Sequence, residues 1–290
     1  EISLEKARQL LVRVTGEDFS AYQESTDGAS FVKLANSEIV KIDALITDRD
    51  NRRRIAFGDL GDFHALVIGN SDYEFLEDLT TAIADSELIA GLLADNYAFE
   101  VVLLKNASRM QILDALAVFR KKLKEKDNFL IYYAGHGTLD DEINLGYWQP
   151  VDAKRDSPGN WISSDDITRQ LSAFKSNNAM VIADSCYSSA IFRNDSSQGF
   201  GGSIDEEILN RMVQQKTRIA ISSGGLEPVP DSLNGSTHSI FAASLSKALS
   251  ENSLVISGYQ LFGKISNVVI ATTAELGIDQ IPQYSSLRLS

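Results

Sequence analysis

Two side chains in this sequence have the type and placement for nucleophilic chemistry. Cys186, the single cysteine, follows the apolar run AMVIA and the pair Asp184-Ser185. His136 stands between Gly135 and Gly137 at the end of a second apolar run, FLIYYAGHG. Such runs read as strands buried on both faces of a parallel sheet. Groups just past the carboxyl ends of these strands lie where the active sites of open α/β sheets gather. A thiol beside an imidazole can lose its proton near neutral pH, and the thiolate attacks carbonyl carbon. A lone cysteine is more often a small buried hydrophobe. Here the abrupt change from apolar strand to polar residues at Asp184 favours the reactive reading. Gly135 and Gly137 are expected to permit φ > 0 and close approach of a ligand.

The remaining candidates are weaker. His64 opens a strand at its amino-terminal side, the wrong end for a site with Cys186, and His238 precedes a helix, where it could cap or bond locally. One cysteine and three scattered histidines show no ligand spacing such as CxxC or HxxxH, so no metal is expected. VIGNSDY lacks the glycine pattern that cradles phosphate. Gly201-Gly202 and Gly224-Gly225 read as loop and turn.

The net charge of −13 argues against nucleic acid or an anionic membrane as partner and suits a cleft for a basic ligand. A hydrophobic fraction of 43% supports a substantial core. One cysteine excludes an internal disulfide and fits a reducing compartment, so a cytoplasmic protein is expected. There is no membrane-length apolar run and no signal-peptide pattern. The chain opens on Glu1 rather than Met, as a piece of a longer protein would.

The elements that must position these residues begin near Phe63. HALVIGN, FEVVLL, FLIYYAGHG, AMVIADS and TRIAISSGG read as strands, and QYSSLRL as a closing edge strand. Between them DLTTAIADSELIAGLLAD carries an apolar stripe through Leu79, Ile83, Leu88, Leu92 and Leu93. A long helix starts after Ser108, another after a Ser164 cap, and two more close the chain. INLGYWQPVDA reads as a small β-excursion. The expected fold is a mostly parallel six-stranded α/β sheet with helices on both faces. Residues 1–62 read as a separate extension. A short helix over Leu4 to Val14 precedes the alternating runs SFVKLA and EIVKIDALIT, so a β-rich unit is expected.

The combination of YYAGHG around His136 and DSCYS around Cys186, fifty residues apart, resembles the caspase-like cysteine peptidases. The residues before the cysteine make it more similar to the metacaspase and bacterial caspase-like branch than to animal caspases. HALVIGNSDY, YWQPVDA with WISSDDI, SSGGLEPVPD and HSIFAASLSKAL extend the likeness over 63–290. It implies a large-subunit-like part at 63–192, a linker at 193–217 and a small-subunit-like part at 218–290. It also implies Cys186 as nucleophile, His136 as proton-transfer partner, and the amides of Gly137 and Cys186 as oxyanion donors. Asp184 matches an acid of the primary specificity pocket, with Asp78 as a second acid and Asp72 competing for that place. The preference implied is a protein or peptide with Arg or Lys before the cut bond. Where many metacaspases carry serine, two residues before the histidine, this chain has Ala134. No orienting third residue is required by the sequence. No organic cofactor is implied; calcium dependence occurs in the branch, but Asp140, Asp141 and Glu142 have no recognised loop spacing.

Two other readings compete with this one: a catalytically silent caspase-like scaffold that binds a protein partner, and a flavodoxin-like regulatory or nucleotide-binding domain. Retention of both His136 and Cys186 counts against the first, and the absent phosphate loop against the second. The polar tract RNDSSQGFGGS makes Arg193 a candidate self-processing site and Lys216 a second. Arg211 lies in an expected helix, and the Arg52-Arg53-Arg54 run would instead detach part of the extension.

Overall fold

The computed structural model describes residues 35–42, 44, 60–185, 216–224, 236–252 and 256–287. Two compact units divide the chain: Glu1–Leu60 with Asp95–Tyr97, and Gly61–Ala94 with Ala98–Ser290. In the first unit, residues 35–42 are helical. This corrects the β-rich expectation for residues 38–42 of the EIVKIDALIT run. Ala35, Ile39 and Ile42 fall at i, i+4 and i+7, the spacing of one helix face. Lys41 bonds Glu38 one turn back at 2.5 Å, and Ala35 alone of these apolar residues is fully buried. β-branched residues raised the strand expectation, but helical spacing prevailed. The SFVKLA run and the helix read over residues 4–14 lie outside the described residues.

The second unit is a six-stranded sheet in the order β2-β1-β3-β7-β8-β9. Its strands are β1 (Phe63–Gly69), β2 (Glu100–Lys105), β3 (Asn128–Ala134), β7 (Asn178–Asp184), β8 (Thr217–Ser222) and β9 (Gln283–Ser286). All neighbours are parallel except β8 and β9. The helices are α1 (Ala82–Tyr97), α2 (Arg109–Lys122), α3 (Ser164–Ser172), α4 (Ile240–Ser250) and α5 (Gly258–Glu275). Between β3 and α3, the strands β4 (Gly137–Asp140), β5 (Leu145–Trp148) and β6 (Ile162–Ser163) form a small antiparallel sheet. This is the β-excursion read from INLGYWQPVDA.

Alternation along each strand divides the core. Leu66 and Ile68 of β1, Ile131 and Tyr133 of β3 and Val181 of β7 join one buried cluster with α2 and α3. The alternate residues face α1 and α5. A side chain at Gly69 would lie 2.2 Å from Ser86 Oγ of α1, and one at Gly258 of α5 would lie 2.3 Å from Ile219 Cδ1. Helices therefore cover both faces, and that is why the central strands read as unbroken apolar runs.

Ser108 caps α2 in a reciprocal box with Gln111. Ser163 rather than Ser164 caps α3, accepting from the Asp166 N–H. In α1 the buried face is Ala82, Asp85, Ser86, Ile89, Ala90 and Leu93, so most of the stripe expected from the leucines is rotated off the sheet. Small residues at 82 and 86 let the helix approach Gly69, and the larger leucines are left partly exposed.

Candidate active site

His136 emerges two residues past β3, and its backbone is held from both sides. Its N–H donates to the Tyr73 hydroxyl at 2.7 Å. Its carbonyl accepts from the Tyr133 hydroxyl at 2.8 Å and from the Gln149 N–H at 2.9 Å. Tyr133 is buried and stacks on Trp148 of β5, with ring centroids 4.4 Å apart and planes at 8°, so the small sheet braces the histidine loop. The Tyr73 ring lies 4.7 Å from the imidazole centroid.

The imidazole itself is oriented by a backbone group. His136 Nε2 lies 2.7 Å from the Glu77 carbonyl oxygen. A carbonyl can only accept, so Nε2 carries the hydrogen and Nδ1 is the nitrogen left for proton exchange. The orienting group absent from the sequence reading is therefore the Glu77 main chain. A main-chain carbonyl is common to every residue and leaves no mark in the sequence.

Gly135 and Gly137 lie outside the positive-φ region, contrary to the expectation from glycine. Gly135 is needed for space instead: a Cβ there would stand 2.8 Å from Tyr133 Oη and 2.9 Å from Tyr73 Oη. Those two hydroxyls position His136. Gly135→Ala is thus expected to destabilise the domain by roughly 1–3 kcal/mol and to displace the imidazole. Comparing melting temperature with the rate of peptide cleavage checks both effects. Gly137 begins β4, paired opposite Trp148.

Asp184 ends β7, and Ala134 of β3 is its register partner. It is 9% exposed, and its Oδ2 accepts from the Ser239 hydroxyl at 2.6 Å. Ser239 is the N-cap of α4, its Oγ accepting in turn from Ala242 N–H at 2.9 Å. The Ser239 N–H donates to Asp85 Oδ2 at 3.2 Å, and His238 Nδ1 lies 2.7 Å from Asp85 Oδ1. Two buried carboxylates, Asp184 and Asp85, are thereby tied to the amino terminus of α4, whose dipole favours negative charge. Burial still raises the Asp85 carboxyl above the usual carboxylate range, against the lowering effect of its bonds to His238 and Ser239. The Tyr132 hydroxyl, wholly buried, is raised by burial and then by these two carboxylates.

Asp85, at 1% exposure, was missed by the sequence reading. It was legible in principle, because 85, 89 and 93 share one face of α1 with the buried Ile89 and Leu93. His238 does more than cap locally, since it reaches an acid on a different helix. Asp78 and Asp72 are differently placed. Asp78 is exposed and accepts from Tyr73 N–H at 2.8 Å, and Asp72 bonds Asn106 at 2.6 Å. Both close the loop after β1 and neither joins the Ser239 network. Asp140 accepts from the N–H groups of Glu142 and Ile143 at 3.1 and 3.4 Å, a turn of the β4–β5 hairpin. Cys186 and Arg193 lie outside the described residues. Lys216 is exposed just before β8, whereas the neighbouring Arg218 is buried with its guanidinium on the carbonyls of Asn177 and Ser176, both at 2.6 Å.

A six-stranded, mostly parallel sheet with a histidine loop after its central strand and a buried acid ending the next defines a caspase-like α/β domain. The chain belongs to the Caspase domain family, whose model matches residues 62–290. Among solved structures it is similar to a Geobacter sulfurreducens protein at 20% identity, covering 78% of this chain and 93% of that one with a TM-score of 0.54. It is also similar to caspase-1 from Spodoptera frugiperda at 14% identity, covering 78% and 87% with a TM-score of 0.56. No curated protein matches the sequence. Membership makes the chain a caspase-fold protein of a cysteine-hydrolase family. Among the described residues, no helix is long and apolar enough to cross a membrane.

Proposed function

We propose that the chain is a cysteine endopeptidase cutting after Arg or Lys, with Cys186 as nucleophile and His136 as proton carrier. The observation that carries this reading is the network joining Asp184, Ser239 and Asp85 beside the His136 loop. Two buried acids held at one helix terminus form a receptor for a guanidinium or ammonium group. This pair replaces Asp78, the acid expected from sequence, as partner of Asp184. Numbering supports the dyad. Ala134 and Asp184 are paired across adjacent strands, and His136 and Cys186 each follow that pair by two residues.

In the proposed reaction the Cys186 thiolate attacks the carbonyl carbon, and the amides of Gly137 and Cys186 receive the oxyanion. His136 gives its proton to the leaving amine as the C–N bond breaks, which leaves a thioester. Water, deprotonated by His136, then cleaves the thioester to the acid product. No cofactor takes part. The motifs support assigning the chain to the metacaspase and bacterial caspase-like branch, and signalling, immunity or cell death is the role proposed with that assignment. A peptide chloromethyl ketone ending in Arg tests the reading: stoichiometric labelling of Cys186 is expected. An intact, folded protein left unlabelled would favour the scaffold that binds a partner without catalysis.

Self-processing follows from the same specificity. Arg193 and the exposed Lys216 are the proposed cut sites; Arg218 is closed to a protease by its buried bonds. Intact mass after incubation should show fragments ending at these residues in the wild type and none in Cys186→Ala. Identical fragments in both proteins would assign the cut to another protease.

A further inference from the structure

The end of the sheet remote from His136 carries a second grouping of reactive side chains. Asp62 and His64 stand at the start of β1, and Asp127 immediately precedes β3. Each offers one ligand atom, and these atoms lie within 4.8 Å of one another. Among the described residues this is the only such grouping of metal-ligating side chains. The three border a cavity of about 390 Å³ that is also lined by Glu100, Lys122 and Lys124.

His64 is only 4% exposed, yet its nitrogens are poorly matched. Nδ1 is 3.2 Å from Oε2 of the exposed Glu100, a charge contact rather than a well-aligned hydrogen bond. Nε2 is 3.7 Å from Asp127 Oδ2, beyond hydrogen-bond reach. A buried imidazole in this condition is costly. The same separation suits two ligands on one cation. Bonds of ~2.0–2.2 Å at a tetrahedral angle put donor atoms roughly 3.4 Å apart.

The surroundings are those of a held ligand set. Asp127 Oδ2 accepts from the Lys124 N–H at 2.8 Å and Oδ1 from the Asp62 N–H at 3.3 Å. Backbone donors of this kind orient a ligating carboxylate while leaving it lone pairs for a metal. Glu100, tethered by Lys122, stands where a metal-bound imidazole commonly finds an outer carboxylate. The Asp62 side chain is 65% exposed and pairs with the exposed Lys124 ammonium, 3.9 Å away, a loose contact from which it can swing onto the ion.

We propose that Asp62, His64 and Asp127 form a divalent-cation site of the zinc class, with water completing the coordination. One imidazole and two carboxylates suit zinc or a neighbouring transition ion better than calcium, which takes oxygen ligands. The ion joins the starts of two adjacent strands, so its effect is on stability rather than on the chemistry at the far end of the sheet.

Zinc is the probe, measured against a chromogenic chelator in the Cys186→Ala protein so that the thiol takes no part. The expected result is one zinc per chain, weakened roughly tenfold or more by both Asp62→Asn and His64→Gln. X-ray absorption of the zinc complex should show scattering from one imidazole. Circular dichroism establishes that each variant is folded. If His64→Gln fails to fold, the imidazole signal together with Asp62→Asn decides the matter. No retained zinc, zinc without imidazole, or an affinity unchanged from the parent protein in both variants overturns the site. Weakening by Asp62→Asn alone, with His64→Gln folded and unaffected, also overturns it, because that marks only an acidic surface.

Discussion

Cys186→Ala is expected to abolish peptide hydrolysis while leaving the melting temperature nearly unchanged. Alanine nearly fills the volume of the thiol, so the loss is chemical: without sulfur no thioester forms, and the path through two easier steps is gone. His136→Ala should cost about 10²–10⁴-fold in kcat through loss of acid–base transfer, with a further loss because the thiolate has no imidazolium partner. The geometry refines this. Nε2 is committed to the Glu77 carbonyl at 2.7 Å, so proton exchange runs through Nδ1, and a replacement must offer a titrating nitrogen at that position. Steady-state rates and a covalent-labelling stoichiometry on each folded variant check the prediction. Near-full activity in either variant would sink the mechanism.

The second large effect concerns specificity. Asp184→Asn should lower kcat/KM for peptides with Arg or Lys before the cut bond by roughly 2–5 kcal/mol, about 30-fold to several-thousand-fold. The amide keeps the Ser239 bond but removes a desolvated charge. Asp85→Asn should act in the same direction with a smaller effect, since His238 already draws on that carboxylate. The pH dependence has a definite sign. Burial raises the Asp85 pKa, so the acid stays neutral to a higher pH than an ordinary carboxylate. A basic peptide binds the ionised form better. Affinity should therefore rise as pH increases through that raised value, and Asp85→Asn should remove this limb of the profile. Peptides with Asp at the same position should be poor, because acid would face acid. A substrate panel led by Asp would overturn the acidic pocket.

These expectations rest unequally on sequence and structure. Buried parallel strands require unbroken apolar runs, so β1, β3 and β7 were legible as letters, as was the position of His136 past the end of one of them. The six-strand alternation and the cap of α2 were equally local. The helix at 35–42 was not read, because Ile39, Val40 and Ile42 satisfy strand propensity and helical spacing at once.

What the tertiary structure alone decided is the set of contacts between residues far apart in the chain. Ser239 meets Asp184 across 55 residues and Asp85 across 154. No local pattern encodes such a meeting, since it depends on α1 and α4 converging over the same face of the sheet. The sequence reading offered Asp78 and did not single out Asp85; burial on α1 and the bond from the Tyr73 N–H to Asp78 separate the two. The Glu77 carbonyl that orients His136 is main chain and has no letter at all. Asp62, His64 and Asp127 converge because β1 and β3 are parallel and adjacent, a relation that spacing along the chain cannot express.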